Sequence, residues 1–314
     1  MADGGSDDNS GAAPIFQSLP HSQVVLGGLP VARALPVRGR RMVGPWCFLD
    51  RFGPLSFPEK QKLMDVPPHP HIGLQTVTWL LDGEILHDDS LGCEAIATPG
   101  GVNVMTAGAG IAHAEQTPLK TSHRLDGVQL WIALPDAHRH IAPSFENIAT
   151  VPAIEQPGGV VQVFSGTLAG GLRCPASHYS ALVGADLELQ RGRKLELALD
   201  PSWEHAVILL QGDAAAGPGQ PLIAGYLHYL NPGRSSLELN SPSGARVLLI
   251  GGPPFPEQIL MWWNFVARTP EEIAGARAEW EQPHHPRFGE VKAYRGPRLK
   301  APALLRPIAP PKNR

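Results

Sequence analysis

The chain has 314 residues, long enough for one large domain or for two of about 150 residues. Its 26 basic and 29 acidic side chains give a formal net charge of −3. This balance argues against a protein built mainly to bind nucleic acid, because such proteins usually carry a basic excess. Hydrophobic residues make up 43% of the chain, so a sizeable core can form. We therefore expect a globular protein without direct nucleic-acid binding.

The cysteines and the hydropathy pattern indicate a compartment. Cys47, Cys93 and Cys174 are odd in number and far apart, so a disulfide framework is not expected and a reducing environment is the default. No apolar run approaches the roughly 18 residues of a membrane-spanning helix, and the first residues lack the pattern of a signal peptide. We expect a cytoplasmic protein that does not contact a membrane.

Both ends of the chain are polar and are predicted to lie outside the folded core. Residues 1–16 are small and acidic and should be disordered. Residues 295–314 contain six basic residues, five prolines and no acidic residue. We interpret this segment as an extended basic tail on the surface. The alternative is a basic arm that contacts phosphate or another subunit.

Between the tails, short runs of β-branched and apolar residues alternate with turns. The 34 glycines and 33 prolines limit long helices and favour strands joined by turns. Many short strands separated in this way predict an all-β fold, either a sandwich or a barrel. The runs lie at residues 76–81, 128–134, 160–164, 194–199, 206–210 and 246–250.

Two parts of the chain resemble each other. A run that begins at His71 ends in Leu-Leu-Asp-Gly-Glu, and a run that begins at His205 ends in Leu-Leu-Gln-Gly-Asp. The repeat suggests a duplicated β-barrel whose halves join between residues 135 and 157.

One helix is predicted after the second half. Thr269 can cap it, Pro270 suits its first position and Glu272 completes a capping box. Ile273, Ala276 and Trp280 then fall on one face, which should pack against a barrel.

Two pairs of side chains form a candidate metal site. His69 and His71 are two residues apart, as are His113 and Glu115, so each pair points to one face of a strand. The pairs are 42 residues apart, and a barrel can bring two such strands together across its interior. Three imidazoles and one carboxylate suit Fe(II), Mn(II), Ni(II), Cu(II) or Zn(II). Four protein ligands on a six-coordinate ion leave two positions for substrate, water or dioxygen.

An alternative interpretation is that the His-x-His pair has no function, because a lone pair of this kind is common by chance. His138 and His140 form such a pair, with an arginine between them, in the predicted linker. We do not expect that pair to bind metal. The candidate site differs from such a chance pair because it has a second pair of ligand-type side chains, His113 and Glu115.

Several stretches resemble the signatures of the pirin family. His-Pro-His-Ile-Gly-Leu-Gln-Thr-Val-Thr-Trp-Leu-Leu-Asp-Gly-Glu at residues 69–84 and His-Asp-Asp-Ser-Leu-Gly at residues 87–92 resemble the first signature. Met-Thr-Ala-Gly-Ala-Gly-Ile-Ala-His-Ala-Glu at residues 105–115 resembles the second. Further likeness lies at residues 127–135, 251–253 and 265–269, so that the resemblance covers roughly residues 22–285.

The resemblance implies two stacked cupin β-barrels with metal only in the first. The family's four ligands fall on His69, His71, His113 and Glu115. The expected domains are a metal-binding barrel at residues 17–140, a metal-free barrel at residues 141–255 and a helical extension at residues 256–294. No ion is expected in the second barrel, where the histidines stand alone at positions 178, 205 and 228.

This chain departs from the family pattern in two places. Ile-Gly-Leu-Gln at residues 72–75 replaces the usual Arg-Gly-Phe-Glu after the second histidine. Trp262 and Trp263 replace a segment that is small or contains tyrosine in pirins.

The resemblance implies two functional hypotheses. The first is a quercetin 2,3-dioxygenase type of enzyme that uses a divalent metal, foremost Fe(II), to cleave a flavonol-like phenolic, with Glu115 as the catalytic base. The alternative is a metal- or redox-sensing regulator that binds a partner protein. An enzyme needs an apolar pocket that opens onto the metal, whereas a sensor needs an accessible charged surface near it.

Overall fold

The computed structural model describes residues 16–26, 28–58, 64–118, 123–217 and 219–304. Within these residues the chain forms 24 β-strands and one α-helix, which confirms the predicted all-β class with a short C-terminal helix. Apart from residue 16, the N-terminal segment predicted to be disordered lies outside the described residues, as does the end of the basic tail from residue 305.

Twelve strands precede the junction between the two halves. They are β1 (Gln17–Pro20), β2 (Ser22–Leu26), β3 (Leu29–Leu35), β4 (Trp46–Ser56), β5 (Asp65–His71), β6 (Leu74–Gly83), β7 (Ile85–Asp89), β8 (Glu94–Ala97), β9 (Val102–Thr106), β10 (Ile111–Gln116), β11 (Arg124–Ala133) and β12 (Ser144–Ile148).

The remaining strands and the helix follow. They are β13 (Ala153–Gln156), β14 (Gly159–Gly166), β15 (Val183–Leu189), β16 (Lys194–Ala198), β17 (Glu204–Gly212), β18 (Ala215–Ala216), β19 (Gln220–Pro221), β20 (Tyr226–Leu230), β21 (Ser236–Asn240), β22 (Ala245–Gly252), β23 (Leu260–Trp262), β24 (Phe265–Ala267) and α1 (Pro270–Glu281).

Each barrel pairs a seven-stranded sheet with a four-stranded one. The first has the orders β12-β9-β6-β11-β4-β3-β2 and β5-β10-β7-β8, and the second has β1-β20-β17-β22-β15-β14-β13 and β16-β21-β18-β19. The two sets match strand for strand, with β6 corresponding to β17 and β5 to β16. The internal repeat predicted from the sequence is therefore a repeat of topology.

Two strands cross between the barrels. The first strand, β1, pairs with β20 of the second barrel, and β12 pairs with β9 of the first. The expected domain boundary at residue 140 would assign β1 to the first barrel and β12 to the second, whereas each strand pairs with a strand of the other barrel. The exchange fills an equivalent edge position in both sheets and so covers a sheet edge that would otherwise be unpaired.

The main core lies between the two large sheets. Their facing apolar side chains form one continuous cluster in which Trp46, Trp79 and Phe164 are fully buried. Trp79 stacks on Phe164 at a centroid distance of 5.2 Å, and its indole Nε1 donates a hydrogen bond of 2.7 Å to Oδ2 of Asp186. Arg246 also donates to this carboxylate. Trp79 is therefore a core residue, and its indole connects the two barrels.

Replacement of Trp79 by phenylalanine tests this contact. The variant keeps an aromatic ring in the core but removes the donor to a buried carboxylate, and we expect the free energy of unfolding to fall by about 1–3 kcal/mol. Urea unfolding followed by circular dichroism measures the change. A loss below about 0.5 kcal/mol would show that the hydrogen bond contributes little, because Arg246 alone then satisfies Asp186.

The C-terminal segment packs against the outside of the first barrel. It begins with the hairpin β23–β24 and continues into α1, where Thr269 caps Glu272 as predicted. Trp280 is buried against this barrel and its indole donates to the Leu299 carbonyl, while the Leu299 amide donates to the carbonyl of Pro68 in β5. The described part of the basic tail is therefore attached to the surface of the first barrel. Among the described residues, no helix has the length and apolar character needed to cross a membrane.

Candidate metal centre

The three predicted histidine ligands lie on two neighbouring strands of the first barrel. His113 of β10 is directly opposite His69 of β5, and Ile111 is opposite His71. Because alternate residues of a strand share a face, His69 and His71 point the same way, as predicted. The strand order β5-β10 thus brings together residues 42 positions apart in the chain.

Ring nitrogens of the three histidines converge on one point. His69, His71 and His113 each offer a nitrogen, and these nitrogens lie within 4.8 Å of one another. The Nε2 atoms of His71 and His113 are 3.1 Å apart. Since imidazole nitrogens bind zinc at about 2.0–2.1 Å, two nitrogens at this spacing can share one ion.

Backbone carbonyls fix the tautomers of two of the rings. Nδ1 of His69 is 3.0 Å from the Pro67 oxygen, and Nδ1 of His71 is 3.0 Å from the Asn264 oxygen. A carbonyl only accepts hydrogen bonds, so both Nδ1 atoms carry the proton in the neutral rings. Each Nε2 therefore presents a lone pair toward the cluster.

His87 and Asp89 of β7 fix the third ring. The Asp89 carboxylate accepts from the amides of Leu91 and Cys93, and it lies 3.2 Å from Nε2 of His87. Burial opposes ionisation of Asp89, but its hydrogen bonds lower its pKa, so that the ionised carboxylate accepts a hydrogen bond from His87 Nε2. Nδ1 of His87 is then the acceptor for Nδ1 of His113 at 3.4 Å.

This arrangement of protons suits a cation. With Nδ1 of His113 donating to His87, the Nε2 lone pairs of His71 and His113 face each other without a proton between them. Burial lowers the pKa of His69 to about 4 and holds the pKa values of His71 and His113 well below the usual range. The three rings are therefore neutral at neutral pH, the form in which imidazole binds metal.

Glu115 lies beside the histidine cluster. The strand β10 lies between β5 and β7. A register shift in its pairing with β5 sets Glu115 opposite Val66 on that side, and Glu115 is opposite His87 of β7 on the other. Its carboxylate is not part of the group within 4.8 Å, which among the described residues consists of the three histidines. Burial raises the pKa of Glu115, while the electrostatic effect of the nearby His87 ring and a hydrogen bond with Thr78 oppose the shift.

A cavity of about 400 Å³ with mainly apolar and aromatic walls opens onto the cluster, and Glu115, Gln129 and Arg33 are also part of its wall. The charge of Arg33 is balanced by its ion pair with Asp50. Phe48 and Trp131 stack at a centroid distance of 4.0 Å, and Trp131 meets His71 edge to face at 5.2 Å. Val25 and Leu26, at the end of β2, line the cavity and are 75% and 38% exposed. The cavity is thus lined by flat aromatic surfaces and has an apolar rim.

Trp263 connects the C-terminal hairpin to the cavity. It lies in the turn between β23 and β24 with φ of 52°, a left-handed conformation that is uncommon outside glycine. The same turn presents the Asn264 carbonyl to His71, and Trp263 itself lines the cavity. A departure from the family motif is therefore part of this site, and the strain indicates that the surrounding contacts hold the turn in place.

The other histidine pair is elsewhere. His138 and His140 lie in the turn after β11, where the His138 ring is 5.1 Å from that of Tyr179. The histidines at positions 178, 205 and 228 belong to the second barrel or its edge. None of these five is in the histidine cluster found among the described residues.

Sequence reasoning missed His87 and Asp89 as parts of the site. Their signal was available, because they form a His-x-Asp pair with the same two-residue spacing as the predicted ligand pairs. Only the pairing of β7 with β10 shows that the His87 ring reaches His113.

Replacement of His87 by alanine tests its role. The variant removes the group that orients His113, and such losses typically weaken metal binding about 10- to 100-fold. Competition of the purified protein with a metal-binding dye measures the affinity. His284→Ala, which removes an exposed ring outside the cavity, is the control, and equal affinity in the two variants would contradict the role of His87.

Comparison with known proteins agrees with this architecture. Residues 28–132 match the Pirin family, and residues 184–286 match the Pirin C-terminal cupin domain. A Pseudomonas aeruginosa protein named "Putative quercetin 2,3-dioxygenase PA1205" is 46% identical over 278 residues, covering 88% of this chain and 87% of that protein. A pirin-like protein of Caulobacter vibrioides is 37% identical over 82% of this chain and 89% of its own length.

A solved structure shows the same fold. The crystal structure of an Acinetobacter baumannii quercetin 2,3-dioxygenase superposes with a TM-score of 0.88 at 42% identity, covering 92% of this chain and 96% of that one. The matches to both domains, the relatives and the shared fold agree with the resemblance seen in the sequence. The chain belongs to the pirin family and consists of two cupin domains.

Proposed function

We propose that the protein is a metal-dependent dioxygenase that cleaves flavonol-like phenolics. Two similar proteins carry the names "Putative quercetin 2,3-dioxygenase" and "Quercetin 2,3-dioxygenase". The observation that carries the proposal is the apolar, aromatic cavity that opens directly onto three neutral histidines. The alternative, a metal-sensing regulator, calls for a charged surface near the metal rather than for an apolar cavity.

The cavity walls match a flat aromatic substrate. The stacked rings of Phe48 and Trp131 offer a planar face beside His71, and Trp263 lines the cavity with them. A volume of about 400 Å³ lies in the range of small-molecule sites. A substrate held against these rings would present its hydroxyl groups to the histidine cluster.

The donor set determines which metals fit. Three neutral imidazoles with Glu115 as fourth ligand suit Fe(II), our first choice for this reaction, as well as Mn, Ni, Cu or Zn. When bound, any of these ions would lower the pKa of a coordinated enol hydroxyl, and a redox-active ion such as Fe(II) would also supply the redox chemistry that dioxygen requires.

Glu115 is suited to the proton transfer. It lines the cavity next to the cluster, where its carboxylate can accept the proton of the substrate's enol hydroxyl and become a carboxylic acid. Its burial raises its pKa, which makes it a stronger base than an exposed glutamate. The aromatic walls meanwhile exclude water from the electron-rich enolate that results.

Oxygen uptake tests the proposed function. Protein loaded with Fe(II) under anaerobic conditions is mixed with aerobic buffer and a flavonol such as quercetin, and dioxygen consumption is followed with an electrode. We expect uptake with flavonols and none with the matching flavones, which lack the enol hydroxyl. Fully loaded protein that consumes no dioxygen with any flavonol would contradict the enzyme and favour the regulator.

A further inference from the structure

The second barrel contains a larger cavity than the first. Its volume is about 630 Å³, compared with about 400 Å³ at the histidine cluster. Its wall is formed by the end of β14, by the connection from β16 to β17 and by the loop at residues 167–182. Since β16 corresponds to β5, this is the same end of the barrel at which the first barrel carries its histidines.

Leucines lie on the two strands of this barrel that correspond to β5 and β10. Leu195 and Leu197 of β16 pair with Leu239 and Leu237 of β21, and all four are buried. In the first barrel the corresponding strands pair His69 with His113. The second barrel therefore keeps the cavity but has an apolar interior in place of a metal-ligand set.

The cavity wall carries three imidazoles, those of His138, His178 and His205. Nδ1 of His178 is 3.3 Å from Oε1 of Gln75, whose Nε2 donates to Thr106 and to the Ser177 carbonyl, so His178 Nδ1 is the donor. Its Nε2 is a buried acceptor that has no hydrogen-bond partner in the described part of the chain. Burial lowers the pKa values of His178 and His205 to about 4, so both rings are neutral acceptors at neutral pH.

An aromatic face lies next to these acceptors. The rings of Trp203 and His205 are stacked with a centroid distance of 6.2 Å and an interplanar angle of 25°, and both residues line the cavity. A flat ring can pack against such a face, and a hydroxyl group on that ring can donate to a neutral imidazole. Arg173 and Asp200 also line the cavity, one basic and one acidic, so the wall favours neither sign of charge on a ligand.

We propose that the second barrel is a metal-free binding site for a planar, hydroxylated aromatic molecule, which packs against Trp203 and donates its hydroxyl hydrogen bonds to His178 and His205. This site is separate from the histidine cluster and does not depend on the proposed dioxygenase.

The test uses 2-naphthol as the probe and the full-length protein after metal removal with a chelator. Isothermal titration calorimetry should detect saturable binding that is about 10-fold tighter than the binding of 2-methoxynaphthalene, which has the same rings but no hydroxyl donor. This comparison needs no variant. Equal binding of the two compounds, or no binding at millimolar concentration, would contradict the proposal.

Matched variants locate the site. His178→Phe and His205→Phe keep flat rings but remove the acceptors, and each should weaken binding of 2-naphthol, with the double variant losing about 10-fold or more. Trp131→Ala, which changes only the wall of the first cavity, should leave this binding unchanged. If Trp131→Ala abolishes binding while the two phenylalanine variants retain it, the probe binds in the first barrel and the proposal is wrong.

Discussion

Replacement of His71 by alanine is expected to lower the metal affinity by about 100-fold or more, because loss of a ligand should exceed the 10- to 100-fold cost of losing a group that merely orients one. His71 donates to the Asn264 carbonyl and places its Nε2 3.1 Å from that of His113, so the variant removes one of the three converging nitrogens. Metal content after dialysis, measured by inductively coupled plasma mass spectrometry, gives the result.

The control for this variant is His138→Ala. His138 belongs to the second His-x-His pair of the chain but lies in a turn outside the cluster, so its loss should leave the metal content at the wild-type value. If both variants lose metal equally, the ligand assignment is wrong. Near-complete retention of metal by His71→Ala would equally contradict it.

The histidine cluster could be predicted because its signal is local. A two-residue spacing places two side chains on one face of a strand. His69 and His71 have this spacing, as do His113 and Glu115. Barrel closure then requires only that the two strands be neighbours, which β5 and β10 are. The family resemblance names the same residues, and its fold is confirmed by the two domains.

The partners that orient these ligands could not be predicted in the same way. The carbonyl that fixes His71 belongs to Asn264, 193 residues further along the chain, in a turn that a strained Trp263 shapes. A backbone oxygen has no side-chain signature, so only the docked C-terminal hairpin shows the contact. The departure at Trp262 and Trp263 was visible in the sequence, but its place in the cavity wall was not.

The exchanged strands show a second limit of sequence patterns. β1 is short and precedes the first barrel in the chain, yet it pairs with β20 of the second. Local hydrophobicity predicts a strand but not its partner, because any strand with an unpaired edge offers the same backbone hydrogen bonds. The pairing of β1 depends on which sheet edge lies next to it once the two large sheets have packed together.

Gln75 links the two barrels at the other departure from the family motif. It lies on β6, is fully buried and bonds to Thr106 of its own barrel and to Ser177 and His178 near the second cavity. Burial and the nearby charge of Arg173 keep His178 neutral, and an amide here adds no negative charge, whereas a carboxylate would favour the protonated ring. The glutamine therefore suits the acceptor role proposed for His178. Its side chain bonds to Thr106 and toward the second barrel, and not to the histidine cluster.

Replacement of Glu115 by glutamine should lower turnover about 100-fold or more, the usual scale for loss of a general base. The amide keeps the size of the side chain and an oxygen donor, but it loses the negative charge and most of the basicity. Because the converging group consists of three histidines, we expect the variant to retain most of its metal. Metal content and oxygen uptake with quercetin are measured on the same samples, so that turnover is expressed per bound ion.

The matched control is Glu94→Gln, which changes an exposed glutamate on β8 outside the cavity and should leave both metal content and turnover unchanged. If Glu115→Gln loses turnover only in proportion to its metal, Glu115 acts as a ligand and another group accepts the proton. If turnover per ion is unchanged, Glu115 is not the base. A fall of about 100-fold per ion with metal retained is the result that a buried base of raised pKa requires, because an amide cannot accept the enol proton that the carboxylate accepts.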